Sequence, residues 1–107
     1  MAIIHIVLFK LKPELSEQDG KELLMEIIEL KKKVPEVETV QLGVNFNPRS
    51  KGFTHGFTMT FKNKDALETY DKSEAHVDAV KNYLSPRLED LLIFDYEVEN
   101  FSIPRPL

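Results

Sequence analysis

Strand-like alternation and helical spacing succeed one another along the chain and outline its elements. Residues 3–11 are apolar on both faces and rich in β-branched side chains, which predicts a strand covered from both sides. His5, Val7 and Phe9 share one face of it; Ile4, Ile6 and Leu8 share the other. Lys12-Pro13-Glu14 breaks the strand, and Ser16-Glu17-Gln18-Asp19 offers an N-cap with an acidic partner three residues on. The helix that follows carries Leu23, Leu24, Ile27, Ile28 and Leu30 in one stripe and ends at Val34-Pro35. Residues 38–46 alternate, with Val40, Leu42, Val44 and Phe46 pointing one way. After the turn-rich loop 47–52, His55, Phe57, Met59 and Phe61 alternate with Gly56, Thr58 and Thr60, a third strand. Asn63 caps a short helix containing Ala66, Leu67 and Tyr70, and Ser73 caps another with His76, Val77, Val80, Tyr83 and Leu84 on one side. Ser85-Pro86 starts one further turn, and residues 92–98 read as a final strand.

The order strand, helix, two strands, helices, strand predicts an α+β, ferredoxin-like domain, an antiparallel four-stranded sheet with helices on one face. The bare face then holds Ile4, Ile6 and Leu8 with Gly43, Gly56, Thr58 and Thr60, too apolar to leave in water. A second copy packed sheet against sheet covers it, so a homodimer is expected. The domain spans residues 1–98, and residues 99–107, with Phe101 and Ile103 followed by two prolines, read as an extended tail.

With 107 residues the chain fits one compact domain, and 42% hydrophobic against 30% charged residues argues against disorder. The net charge of −4 opposes binding to a nucleic-acid backbone. The one basic run, Lys31-Lys32-Lys33, closes a predicted helix, where cations complement the dipole. No segment is long and apolar enough for a membrane span, and no basic leader or cleavage site precedes the first apolar run. The absence of cysteine removes disulfides and thiolate chemistry and suits a reducing compartment, so a cytoplasmic location is expected.

Three histidines, His5, His55 and His76, fall on apolar, inward-turning faces, and Tyr70 lies six residues before His76. Imidazole titrates near neutral pH, and burial keeps it neutral and able to accept a proton, so a pocket for proton transfer is one reading. Singly, a buried histidine also reads as a structural residue. The three come from separate elements without the i, i+4 spacing of a helical zinc site, so neither a metal centre nor a cofactor is expected.

The opening Ile4-His5-Ile6-Val7-Leu8-Phe9-Lys10-Leu11-Lys12, the segment Phe53-Thr54-His55, the stretch from Tyr70 to Ala75-His76-Val77, and Leu91-Leu92-Ile93-Phe94-Asp95-Tyr96 stand in an order that resembles the stress-responsive dimeric α/β-barrel (Dabb) family. The resemblance covers the chain to about residue 98 and implies pairing of two sheets into a dimeric α/β barrel. That family includes plant heat-stable proteins and a polyketide cyclase that closes a linear poly-β-ketone by aldol condensation. The resemblance matches that cyclase's catalytic tyrosine and histidine to Tyr70 and His76, and its two further pocket histidines to His5 and His55; Ser73 stands where the cyclase has another histidine. The chemistry suits these residues: a neutral imidazole at His76 removes an acidic C–H proton, and the Tyr70 phenol hydrogen-bonds the enolate oxygen. Phe57, Met59, Val80 and Tyr83 are candidate walls for a small apolar or polyketide-like ligand, and equally plain core. Two functions stay open: a small cofactor-free cyclase or lyase, and a non-enzymatic stress-associated dimer or small-ligand binder.

Overall fold

A computed structural model describes residues 1–99; the tail containing Phe101 and Ile103 lies outside the described residues. The elements are strand β1 (Ile3–Leu11), helix α1 (Glu17–Lys33), strands β2 (Thr39–Val44) and β3 (His55–Phe61), helices α2 (Lys64–Lys72) and α3 (Glu74–Ala79), a π-helical turn (Val80–Leu84) and strand β4 (Leu88–Glu97). The strands form one antiparallel sheet in the order β2-β3-β1-β4, the α+β arrangement predicted. No described helix is long and apolar enough to cross a membrane.

Local sequence explains where the helices start and stop. Ser16 and Asp19 close a capping box: the Asp19 amide donates to Ser16 Oγ (3.2 Å) and the Ser16 amide to Asp19 Oδ2 (2.8 Å), satisfying donors the helix cannot. Helix α1 then buries Gly20, Leu23, Leu24, Ile27 and Leu30 on the sheet. Asn63 caps α2 by accepting from the Ala66 amide (2.9 Å). Ser73 serves two helices at once, since its hydroxyl donates to the Tyr70 carbonyl (2.8 Å) and accepts from the His76 amide (3.2 Å). One extended residue therefore sets the spacing between Tyr70 and His76.

The core lies between α1 and the middle strands, where Ile3, Val7, Phe9, Phe57, Met59 and Phe61 meet the α1 stripe and Tyr70. On the other face Ile4, Ile6 and Leu8 alternate with these and stay partly open beside Thr58 and Thr60.

Three expectations need correction. Strand β2 ends at Val44 rather than 46, because the Asn45 side chain donates to the Asn47 carbonyl (2.8 Å) and accepts from its amide (3.0 Å), turning the chain off the sheet. Val44, the last residue of the strand, and Phe46, beyond it, are 64% and 97% exposed. The second short helix does not keep one stripe to Leu84: the Ser85 amide bonds the Val80 carbonyl (2.8 Å), a five-residue turn that rotates Tyr83 out of the stripe, while Val77 is already exposed. Strand β4 starts at Leu88, not 92, because its pairing with β1 continues to Leu11 across a β-bulge.

Candidate functional site

The site grows from the register of β1 and β4. His5 lies opposite Asp95, and both point to the helix side of the sheet, where His5 Nδ1 hydrogen-bonds Asp95 Oδ1. A carboxylate accepts, so Nδ1 carries the proton of that bond. His5 is buried at 5% exposure, its ring among Phe57, Phe61 and Tyr70 with centroids about 6 Å apart. Tyr70, on the last turn of α2, is 1% exposed and stands 4.5 Å, centroid to centroid, from His76 on α3.

His76 is only half-buried, which corrects the inward placement expected of it. Its Nδ1 lies 2.9 Å from the Asp71 carbonyl oxygen. A carbonyl cannot donate, so Nδ1 is the protonated nitrogen and Nε2 carries the free lone pair. Burial, with a smaller contribution from the Asp71 carboxylate, pushes the Tyr70 phenol well above its ordinary value, so it stays protonated and is a donor at neutral pH. Its hydroxyl has no hydrogen-bond partner among the described residues.

Beside this pair a cleft of about 400 Å³ opens between β4 and the α3–π-turn segment, lined by Val7, His76, Val80, Leu84, Leu88, Leu91 and Ile93, with Ser85, Glu89 and Asp90. Ile93 neighbours Asp95 along the helix-facing side of β4, so the His5–Asp95 pair adjoins the cleft beyond Ile93.

The structure thus brings His5, Tyr70, His76 and Val80 to one end of the helix-covered face. It does not bring His55 there. His55 pairs with Phe9 in the β1–β3 register while His5 pairs with Met59, four residues or about 13 Å along the strand. At that end His55 stacks on Phe9 (5.3 Å, 7°), Nδ1 lies 2.7 Å from Thr54 Oγ1, and its burial lowers its pKa. A Cβ on Gly20 would sit 2.8 Å from His55 Nε2, so any larger residue at that point of α1 would have to displace the His55 ring. Phe57 is closed core between the two ends, Met59 is closed core opposite His5, and Tyr83 faces α1 grooves with Met25 and Glu26 instead of the cleft.

Asp95 is the site residue that sequence reading did not single out. Its signal was present: it is the lone charge in Leu91-Leu92-Ile93-Phe94-Asp95-Tyr96, on the face shared with Leu91 and Ile93. Only the register places it on His5.

Comparison with known proteins matches residues 3–98 to the Stress responsive A/B Barrel Domain family. Olivetolic acid cyclase from Cannabis sativa is 32% identical over 98 residues, covering 90% of this chain and 96% of that protein. A hydroxynitrile lyase from Passiflora edulis superposes with a TM-score of 0.85 at 23% identity, over 96% of this chain and 97% of that one. A dimeric protein of unknown function and ferredoxin-like fold from Bacteroides fragilis superposes with a TM-score of 0.72 at 26% identity, over 91% and 96%. The ferredoxin-like sheet, the four motifs in their order and the match over residues 3–98 agree: the chain belongs to the stress-responsive A/B barrel domain family.

Proposed function

We propose that the chain is a small acid–base enzyme of the cyclase or lyase kind, needing no cofactor and acting on an apolar carbonyl substrate held in the cleft beside His76. The observation that carries this is the Tyr70–His76 pair: a protonated phenol without a partner among the described residues, 4.5 Å by ring centroids from an imidazole whose Nδ1 is engaged by a backbone carbonyl. A cyclase and a lyase among its relatives support the class.

In an aldol closure, His76 Nε2 takes a proton from carbon between two carbonyls, and the Tyr70 O–H donates to the resulting enolate oxygen. The enolate carbon forms a C–C bond to a ketone carbon further along the folded chain, and the ketone's π electrons pass to its oxygen. That oxygen takes a proton back from the imidazolium, restoring neutral His76. Apolar Val7, Val80, Leu84 and Ile93 exclude water and fold a greasy substrate. His5, held by Asp95, supports Tyr70 from the sheet side.

The test is turnover of linear poly-β-ketone thioesters. His76→Ala should lower kcat about 10²–10⁴-fold and Tyr70→Phe about 10²-fold, with both proteins folded. No cyclisation above the spontaneous rate by the wild type would sink the cyclase reading.

A second reading, a non-enzymatic stress-associated ligand binder, is favoured by one feature: closed core at Phe57 and Met59 separates His55 from His76, so the histidines do not share one cavity. Protection from heat by a small apolar ligand, without turnover, would support it. Under either reading we propose a homodimer formed through the face of Ile4, Ile6 and Leu8; a monomer mass in light scattering at micromolar concentration removes that idea.

A further inference from the structure

The rim of the cleft is one-sided in charge. The register of β4 against β1 shifts between Lys10 and Leu11, so that Asp90 pairs with Lys10, Leu88 pairs with Leu11, and Glu89 is the extra residue of a bulge. The bulge breaks the alternation of the strand, and Glu89 and Asp90 both line the cleft, as do Leu88 and Leu91 on either side of them. Glu89 is partly offset by Lys10, 3.7 Å away across the strands. Asp90 has no ion-pair partner among the described residues; its Oδ1 accepts from the Leu91 amide (2.8 Å). Among the described residues lining the cleft there is no lysine or arginine, and the only other polar side chains are His76 and Ser85. Beyond Ile93 the next charge on that face of β4 is again a carboxylate, Asp95, tied to His5.

We infer that the cleft selects an uncharged carbonyl compound and rejects its anionic counterpart, with Glu89 and Asp90 as the residues that set this preference. The inference rests on the cleft's being the substrate site, and it adds the charge class of what enters. An anion placed among apolar walls loses hydration and finds no cation or arginine fork to replace it, while two carboxylates at the rim raise its energy further. A neutral ester or ketone loses only weak hydrogen bonds to water and can regain one from the Ser85 hydroxyl, which lines the cleft. Repulsion at the rim is screened by salt, because both carboxylates are exposed to solvent.

A matched pair of probes separates the two cases: methyl 4-acetylbenzoate, which is neutral, and 4-acetylbenzoate, which carries a charge at the same position. Amide shifts of Leu91 and Ile93 in NMR titrations report binding in the cleft without requiring turnover. The ester should bind about tenfold or more tightly than the carboxylate at low salt. The combined Glu89→Gln and Asp90→Asn variant, at exposed positions outside the proton-transfer pair, should narrow that gap several-fold, and raised sodium chloride should narrow it in the wild type. Equal binding of the two probes, a gap unchanged in the variant, or no shift with either probe at millimolar concentration overturns the inference. Selective binding without turnover of any substrate would leave the charge preference standing and count only against the catalytic reading.

Discussion

Strands β1 and β4 pair residue for residue from Ile3 to Lys10, and both are built mainly of large apolar side chains, yet they end in opposite environments. On β1 the helix-facing residues Ile3, His5, Val7 and Phe9 are all buried; on β4 their partners Glu97, Asp95, Ile93 and Leu91 remain open. The cause is what lies above each strand. Helix α1 is long and lays a continuous stripe over the middle of the sheet, whereas the second helical layer is broken at Ser73 and widened at the π turn. A broken helix cannot cover a whole strand, and the uncovered part is the cleft. A closed half supplies rigidity, and an open half supplies room for a ligand beside a positioned imidazole and phenol.

The largest effect should come from the sheet's other face. If two copies close it, Ile6→Glu places an unpaired charge between two sheets and should convert the dimer to monomer, with sedimentation velocity as the check. A dimer of unchanged strength would show that the contact lies elsewhere.

Within one chain, the contrast between strands predicts unequal costs for similar truncations. Phe9→Ala, at a fully buried position, should cost about 3–5 kcal/mol. Ile93→Ala, half exposed on the partner strand, should cost about 1 kcal/mol or less. Urea denaturation of both variants measures the difference, and similar costs would mean that the β4 side is covered in solution.

The smallest effect is a titration at the closed end. Burial lowers the His55 pKa in the folded chain below its ordinary value of about 6.5, so the unfolded state binds a proton more readily. Stability should therefore fall as pH drops from about 6.5 toward the lowered folded-state value, and level off below it. His55→Gln should flatten that part of the profile. Thermal melts between pH 7.5 and 5 test this; an identical slope in the variant assigns the dependence to other groups.

Much of the fold was legible in the residues themselves. Ser16 with Asp19, Asn63, Ser73 and Val34-Pro35 are local signals, and each acts through bonds within a few residues. The inward sets Val7 and Phe9 on β1, and Phe57, Met59 and Phe61 on β3, follow from alternation alone. The errors fall where local rules were overridden. Val44 and Phe46 alternate correctly, but an edge strand ends when a side chain such as Asn45 captures the backbone. Tyr83 has the right helical spacing, but one five-residue turn changes the phase of all that follows.

The sequence determined the elements, their caps, the sheet's two-faced pattern and the short path from Tyr70 to His76, because backbone bonding and side-chain periodicity act over a turn or a strand. Tertiary structure alone decided that Asp95 meets His5 across ninety positions, that His55 stands apart from the other two histidines, and that a bulge adds two carboxylates to the rim of the cleft. Those outcomes depend on strand register and on which helix covers which strand. A shift of a single residue in register would turn Asp95 to the opposite face of the sheet, and no local signal in the chain measures that shift.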